Sequence, residues 1–281
     1  MTKPFLVLSD LDHTLFQSLA SDPSGIKPMS VDSSGQPHGF ANPHQVEILD
    51  QATRDGTVIP VTARCHEKFE RVNGLVTGED FDLALTDLGA NLLFRDNRAG
   101  NEWEVVESWR AEYLDKIQKH SKSLVSDYNS IIDRIDSSGD ISGLVLGEVT
   151  TYAKTGIPFY MGFTISEGKA LSTDAFVSYF IEPLIGSSSI YTPYIKDNVV
   201  CLWPRFVSKG LAVSRLLDII ENNPESLEID PRFNLSTLSN RTIITMGDMT
   251  NDHDFMRQGH LMVIQTQSNM GRFIEDSIEK V

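Results

Sequence analysis

Two short apolar runs, each followed at once by a group of acidic residues, constrain this chain more than any other feature. Phe5-Leu-Val-Leu precedes Asp10-Leu-Asp-His-Thr, and Ile243-Ile-Thr-Met precedes Gly247-Asp-Met-Thr-Asn-Asp. Short apolar runs bounded by polar turns are typical of strands buried in a parallel sheet. Open α/β sheets bind their ligands beyond the carboxyl ends of such strands. Two acidic loops facing one crevice therefore predict a divalent metal site and phosphate chemistry.

Composition and charge exclude several classes of protein. The 281 residues suffice for one large domain or two modest ones with a real hydrophobic core. Lys and Arg number 24 against 39 Asp and Glu, and the formal net charge of −15 argues against a nucleic-acid-binding surface. Cys65 and Cys201 are the only cysteines, too few for a disulfide framework and without the C-x-x-C spacing of a zinc site.

The chain contains no pattern that predicts a membrane or secretory segment. The apolar run from Phe5 stops at Ser9 and Asp10, and no other run approaches the roughly 18 residues of a membrane span. We therefore expect a cytoplasmic protein, a monomer or small homo-oligomer, that has neither membrane nor nucleic-acid partners.

Strand and helix patterns alternate in the first part of the chain. Ser18 to Asn42 is rich in Pro, Gly and Ser and predicts a long loop or a small hairpin. A helix is predicted from Asn42 or Pro43, because Asn is a good N-cap and Pro suits a first turn. The next strand runs from Thr57 and ends in Thr62-Ala63-Arg64. This alternation is typical of an α/β fold with a parallel sheet.

A block from about residue 95 to residue 198 has a different character. Its patterns predict helices at 105–120 and 124–135, strands at 144–152 and 158–165, and a helix at 170–184. Strand-then-helix alternation resumes after this block, where Ser208 caps a helix with an apolar stripe. We therefore predict a Rossmann-like parallel-sheet core formed by residues 1–94 and 199–281, interrupted by an inserted α+β unit at 95–198.

Two aspartates at positions i and i+2 after a strand can take different catalytic roles in phosphoryl transfer. One carboxylate can attack phosphorus to give an aspartyl-phosphate, while the other gives and takes a proton. Mg²⁺ would offset the repulsion between carboxylate and phosphate. The D-x-D-x-T pattern alone is a weak signal, since aspartates are common in turns and helix caps. A calcium loop counted from Asp10 fails, with Leu15 at its glycine position and Ser21 at its final glutamate.

Four motifs in order make the pattern specific. They are Asp10-x-Asp12-x-Thr14, Thr62-Ala63-Arg64, Val207-Ser208-Lys209-Gly210 and Gly247-Asp248-x-x-Asn251-Asp252. Together they resemble the motifs of the haloacid dehalogenase superfamily. The likeness is greatest to its phosphatases with a large C2-type cap between the second and third motifs, the Cof-type, sucrose-phosphate and mannosyl-3-phosphoglycerate phosphatase branch. The inserted unit predicted at 95–198 falls in that interval.

The resemblance implies a magnesium site formed by aspartates. Asp10 would bind Mg²⁺ through its carboxylate and Asp12 through its backbone carbonyl. Asp248 would complete the protein's share of the metal ligands, and Asp252 would lie nearby, acting through water or as a partner of a ligand.

The resemblance also implies the catalytic roles. Asp10 would be the nucleophile, and Asp12 would be the general acid and then the general base. Thr62 would donate its hydroxyl to the phosphate, and Lys209 would neutralise charge on Asp10 and on the transferring phosphoryl group. A highly charged phosphoryl group needs positioning and cationic contacts, which is consistent with these roles.

Three further residues of these motifs are candidate substrate-binding residues: Ala63, Arg64 and Asn251. Arg64 would either bind substrate or form a structural ion pair, and Asn251 would orient the metal loop or Lys209 rather than contact a leaving group. The chain departs from the family at His13, where glycine is most common. His13 would either touch substrate or simply cover the site.

The resemblance implies a Mg²⁺-dependent phosphatase that hydrolyses a small phosphorylated metabolite, a sugar phosphate or phosphoglycerate derivative. A phosphomutase is an alternative, but it would need several arginines in the cap, and Arg110 and Arg134 are the only arginines from 99 to 204. A metal-binding regulatory module without turnover is a second alternative. It predicts the loss of a reacting group, yet every group assigned above is present.

Overall fold

The computed structural model describes residues 3–73, 75, 81–98, 102–139, 141, 143–152, 155–166, 171–186, 190–230, 233–266, 268, 270–272 and 274. The chain forms two compact units, one of Met1–Arg110 with Ser208–Val281 and the other of Ala111–Val207. The second unit therefore begins and ends later than the insert of 95–198 that the sequence pattern predicted.

The strands are, in chain order, β1 (Phe5–Ser9), β2 (Gln17–Ser18), β3 (Lys27–Val31), β4 (Pro37–Ala41), β5 (Gly56–Pro60), β6 (Phe81–Thr86), β7 (Asn91–Asp96), β8 (Glu104–Val105), β9 (Val145–Thr151), β10 (Pro158–Ile165), β11 (Tyr191–Lys196), β12 (Val199–Pro204), β13 (Thr242–Gly247) and β14 (Leu261–Ile264). The helices are α1 (Pro43–Asp55), α2 (His66–Phe69), α3 (Glu107–Ser137), α4 (Thr173–Phe176), α5 (Glu182–Ile185), α6 (Lys209–Asn222) and α7 (His253–Met256). Among the described residues, no helix combines the length and apolar character needed to cross a membrane.

The first unit is built on a parallel sheet in the order β14-β13-β1-β5. Leu6, Val7 and Leu8 of β1 are buried, as expected for the central strand of a sheet covered on both faces. Ser9 pairs with Met246 of β13 on one side and with Pro60 of β5 on the other. The carboxyl ends of these three strands therefore meet at one edge, which confirms the predicted α/β core with a parallel sheet.

Two antiparallel sheets complete the first unit. Strands β2, β4 and β3 form one of them, so the segment from Ser18 to Asn42 contains a small hairpin rather than only a loop. Strands β6, β7 and β8 form the other. Because β7 pairs along its whole length with β6, and β8 pairs with β7, these strands stay with the first unit, and the second begins only within α3.

The second unit has a four-stranded antiparallel sheet in the order β11-β12-β10-β9. Its core contains the apolar side of α3 and the helical segment that runs from α4 to α5 through a π-helical turn, Val177–Ile181. The predicted strands at 144–152 and 158–165 correspond to β9 and β10. The predicted helix at 170–184 corresponds to the segment from Thr173 to Ile185, with residue 170 outside the described part of the chain.

The prediction of two helices between residues 105 and 135 was wrong. The structure has one helix of 31 residues, Glu107–Ser137. The segment that looked like a break contains Ser121 and Ser123, but it contains neither Gly nor Pro. Each of these serine hydroxyls donates to the backbone carbonyl three residues earlier. The hydroxyls are therefore hydrogen-bonded within the helix, and the helix continues past them.

A glycine after β6 lets the chain approach α6 closely. Gly89 has φ +92°, and a Cβ at this position would lie 2.0 Å from the Cβ of Ala212. Trp109 is buried against the same turn, with Nε1 donating to the Gly89 carbonyl at 3.0 Å, and the Arg215 guanidinium lies 3.9 Å over its ring. These contacts set the position of α6, whose first residue is Lys209.

Replacing Gly89 by Ala tests this contact, with Gly35→Ala as the matched control. Both glycines have positive φ, but a Cβ at Gly35 would meet nothing within 4 Å. We expect each change to lower the free energy of unfolding by about 1–2 kcal/mol through backbone strain. Gly89→Ala should lose about 1–3 kcal/mol more through overpacking against Ala212. Urea unfolding measures both, and equal losses would contradict the contact.

Candidate active site

The ends of β1 and β13 bring three carboxylates together. Asp10 follows β1, Asp248 follows β13, and Asp252 ends the 3₁₀ turn after it, Thr250–Asp252. All three are buried, and each offers an oxygen within 4.8 Å of the others. The Asp10 amide donates to the Met246 carbonyl at 2.9 Å, so the parallel ladder continues one residue past β1 and places the two acidic loops side by side.

Lys209 lies between two of these carboxylates. Its Nζ donates to Asp10 Oδ1 and to Asp252 Oδ1, both at 2.6 Å, and the residue is only 4% exposed. Lys209 opens α6 directly after the N-cap Ser208, whose hydroxyl accepts from the Leu211 amide at 3.1 Å. A cation at a helix N-terminus is locally unfavourable, so the two carboxylates must offset the helix dipole as well as the burial of the charge.

A glycine brings α6 and the acidic loop into contact. A Cβ on Gly210 would lie 2.8 Å from Asp254 Cβ and 3.1 Å from the Asp254 backbone. Gln258 reinforces this contact, because its side-chain amide donates to the Gly210 carbonyl at 2.7 Å. The Lys-Gly pair therefore combines a charged group with the small residue that lets Lys209 reach Asp252.

Hydrogen bonds within the acidic loop orient its carboxylates. Asp252 Oδ2 accepts from the backbone amides of Asp248 at 3.3 Å and Met249 at 3.2 Å. Thr14 Oγ1 donates to Asp248 Oδ1 at 3.3 Å, which links the two acidic loops directly. Thr14 belongs to the first motif, but the sequence did not reveal this contact, because it joins residues that lie far apart in the chain.

The electrostatics of this cluster fit a divalent cation. Three carboxylates and one ammonium group carry a formal charge of −2 when all four are ionised. Burial raises the pKa of Asp10 to about 7; Lys209 opposes this rise, while Asp252, Asp248 and Asp12 add to it. Buried carboxylate oxygens are ligands that Mg²⁺ prefers, and the formal charge of −2 would be balanced by one such ion. Asp10, Asp248 and Asp252 are thus the residues that could hold it.

Asp12 is turned toward Arg64. Arg64 donates from Nε to Asp12 Oδ2 at 2.8 Å and from Nη2 to Asp12 Oδ1 at 2.6 Å, a bidentate pair. The guanidinium also lies 5.0 Å over the Phe16 ring. Burial lowers the pKa of Arg64, but its hydrogen bonds to Asp12 and its charge interactions with Asp12, Asp10 and Cys65 together outweigh that effect and raise it. Arg64 is therefore an ion-pair partner of Asp12, and a contact between Arg64 and substrate stays a prediction.

The remaining candidate residues lie on the loops at the same edge of the sheet. Thr62 is buried just beyond β5, and its hydroxyl accepts from the Arg64 amide at 3.1 Å. Ala63 beside it is partly buried, and Asn251 is exposed in the turn that ends at Asp252. The roles of these three toward phosphate or substrate, and the backbone metal contact of Asp12, stay predictions.

The backbone explains why glycine would be favoured at position 13. His13 has φ 67°, in the left-handed region that most side chains avoid. Its amide donates to the Phe16 carbonyl at 2.8 Å, which closes the tight turn after Asp12. The turn thus requires a left-handed backbone conformation at position 13, and His13 adopts it although glycine would do so with less strain.

The raised pKa of Asp10 predicts that metal binding releases a proton. In the metal-free protein Asp10 is mostly protonated at pH 6 and mostly ionised at pH 8, because its pKa is about 7. Mg²⁺ requires the carboxylate, so we expect release of about one proton per ion at pH 6 and close to none at pH 8. Titration calorimetry in buffers of different ionisation enthalpy measures this number. Asp10→Asn should remove the difference, and an equal count at both pH values in the wild type would contradict it.

Comparisons with known proteins support the fold. The chain matches no protein-family model, and no curated protein sequence is detectably similar to it. Its structure resembles the trehalose-6-phosphate phosphatase C-terminal domain of C. albicans, with a TM-score of 0.52 and 13% identity over 91% of this chain and 73% of that one. It also resembles an IMP-bound, N-terminally truncated IMP-nucleotidase of Plasmodium falciparum, with a TM-score of 0.54 and 11% identity over 98% of this chain and 68% of that one. The chain therefore has the fold of the haloacid dehalogenase-type phosphatases, a parallel-sheet core interrupted by a second unit.

Proposed function

We propose that the protein is a Mg²⁺-dependent phosphatase that hydrolyses a small phosphorylated metabolite through an aspartyl-phosphate on Asp10. The observation that carries this proposal is the Lys209 ammonium, which bridges Asp10 and Asp252 inside a buried group of three carboxylates. A structural ion pair would need one carboxylate for one lysine. Three carboxylates, with the D-x-D-x-T motif beside them, instead provide a nucleophile together with ligands for a divalent ion.

In this mechanism Asp10 is the nucleophile. Its carboxylate oxygen attacks phosphorus, and the ester P–O bond to the substrate alcohol breaks. The Lys209 ammonium keeps its contact with Asp10 during this step and offsets the negative charge of the phosphoryl oxygens. The Thr62 hydroxyl donates to one of those oxygens. Mg²⁺, held by Asp10, Asp248 and Asp252, would supply further positive charge to the phosphoryl group.

Asp12 moves the protons. It donates a proton to the departing alkoxide, then takes one from water, whose oxygen attacks phosphorus and breaks the bond to Asp10, releasing inorganic phosphate. A bidentate contact with Arg64 engages both carboxylate oxygens of Asp12. Proton donation therefore requires this contact to loosen while Asp12 turns to the leaving group.

The second unit, Ala111–Val207, would act as the cap that selects the substrate. Similarity to a trehalose-6-phosphate phosphatase favours a sugar phosphate as the substrate. Similarity to an IMP-nucleotidase supports a nucleoside monophosphate as an alternative substrate. Phosphoglycerate derivatives remain within the same proposal. A soluble metabolite of this kind fits the expected cytoplasmic location.

Phosphate release tests the proposal directly. We expect the wild-type protein to release inorganic phosphate from one or more sugar phosphates, phosphoglycerates or nucleoside monophosphates with Mg²⁺, and not with EDTA. Asp10→Asn should lower kcat by about 10³-fold or more, since the nucleophile is lost. Asp254→Asn is the matched control, because Asp254 is exposed on α7 and lies outside the carboxylate cluster. Activity of Asp10→Asn close to that of the control would rule out the mechanism.

The role of Asp12 predicts a dependence on the leaving group. Asp12→Asn should slow release from an alkyl phosphate by about 10²–10⁴-fold, the usual contribution of a positioned acid. Formation of the aspartyl-phosphate from p-nitrophenyl phosphate should be affected much less, because p-nitrophenolate leaves without a proton. The burst of p-nitrophenol in rapid-mixing experiments measures this step. If Asp12→Asn slowed the p-nitrophenol burst as much as it slows phosphate release from the alkyl phosphate, Asp12 would not be the acid.

A further inference from the structure

Thr14 is held from several sides. Its hydroxyl donates to Asp248 Oδ1 at 3.3 Å, and its carbonyl accepts from the side-chain amides of Gln45 at 3.2 Å and Gln265 at 3.1 Å. Thr14 itself is buried. Since one residue carries both groups, the two glutamines set the backbone position from which the hydroxyl reaches Asp248.

Gln45 uses the whole hydrogen-bonding capacity of its amide nitrogen. It is 2% exposed, and its two N–H groups donate to the Thr14 carbonyl and, at 2.6 Å, to Gln17 Oε1. Its Oε1 accepts from the Asn42 backbone amide at 3.0 Å. A backbone N–H on one side and a carbonyl on the other leave one orientation for this amide. A buried amide is costly unless it is paired, so this one is set in place by its partners.

The partners of Gln45 are themselves held. Gln17 Nε2 donates to Asp22 Oδ2 at 2.8 Å, and Asn42 Nδ2 donates to the same oxygen at 2.9 Å. Gln17 therefore cannot turn its amide to suit a changed Gln45 without losing Asp22. This network runs without a break from the segment between β2 and β3, through the N-terminus of α1, to the carboxylate of Asp248.

We propose that Gln45 is a positioning residue of the metal site: its side-chain amide holds the Thr14 carbonyl so that the Thr14 hydroxyl stays directed at Asp248. This inference rests on the proposed function, since it assigns Asp248 to a metal ion. The capping box of α1 explains one of the contacts of Gln45, the one to the Asn42 amide. It does not require the two N–H contacts, which join α1 to the Thr14 carbonyl and to Gln17 of β2.

The test is Mg²⁺ binding by calorimetry, which needs no turnover. Gln45→Glu keeps an acceptor for the Asn42 amide but places a carboxylate against the Thr14 carbonyl and Gln17 Oε1. We expect the Kd for Mg²⁺ to rise about 10-fold or more, the usual effect of losing a partner that orients a metal ligand. Leu49→Ala is the control: Leu49 is buried in the same helix and contributes only apolar contacts, so it should lower Tm and leave the Kd for Mg²⁺ unchanged.

A double-mutant cycle with Thr14→Val shows whether Gln45 acts through Thr14. Thr14→Val removes the hydroxyl that reaches Asp248 and should also weaken Mg²⁺ binding. If Gln45 acts only by placing that hydroxyl, adding Gln45→Glu to Thr14→Val should cause little further loss. Independent effects that multiply in the double variant would overturn the inference, as would wild-type affinity in Gln45→Glu. If Gln45→Glu does not fold, Gln45→Met, close to glutamine in volume, takes its place in the cycle.

Failure of this inference and failure of the proposed function give different results. If the wild type binds Mg²⁺ and Gln45→Glu binds it more weakly, the positioning role is supported even when no phosphate is released from any substrate. Absence of Mg²⁺ binding by the wild-type protein would overturn the inference together with the metal assignment. Phosphate release by the wild type, with equal Mg²⁺ affinity in Gln45→Glu, would overturn the positioning role alone.

Discussion

A single ammonium group buried among three carboxylates is the interaction on which the core site depends. Lys209 makes two short contacts, to Asp10 and Asp252, and all of these groups are removed from water. Breaking such a group by removing one partner leaves an uncompensated buried charge, a cost of about 3–5 kcal/mol in other proteins. Burial, together with the neighbouring aspartates, raises the pKa of Asp10 to about 7, and the negative charge that Lys209 leaves unbalanced favours the binding of a cation. Stability and proposed chemistry therefore rest on the same few atoms.

Lys209 can make these contacts only because α6 is seated closely on both sides. Gly89 permits contact with Ala212 within the helix, and Gly210 permits contact with Asp254 beyond it. The Lys209 ammonium contacts both carboxylates at 2.6 Å, so a shift of the helix would require the side chain to change rotamer to keep both contacts. Packing thus controls electrostatics here, and neither glycine acts through chemistry of its own.

The differences between the sequence-based predictions and the structure have a common cause. The two helices predicted between 105 and 135 form one, and the second compact unit begins at Ala111, whereas the insert was predicted from residue 95. Local patterns report which residues favour a helix or a strand, but not which strand pairs with which. The pairing of β7 with β6 keeps residues 91–96 in the first unit, and local periodicity does not predict that pairing.

Local sequence was enough to place β1, β5, β9, β10 and β13, the caps at Asn42 and Ser208, and the order of the four motifs, because apolar runs and capping residues act over a few neighbours. The parallel sheet then makes it unavoidable that Asp10 and Asp248 meet at one edge. Only the tertiary structure decided that Asp12 pairs with Arg64 and that Gln45 supports Thr14. Those contacts join residues far apart in the chain, and their geometry depends on side-chain directions that no spacing in the sequence encodes.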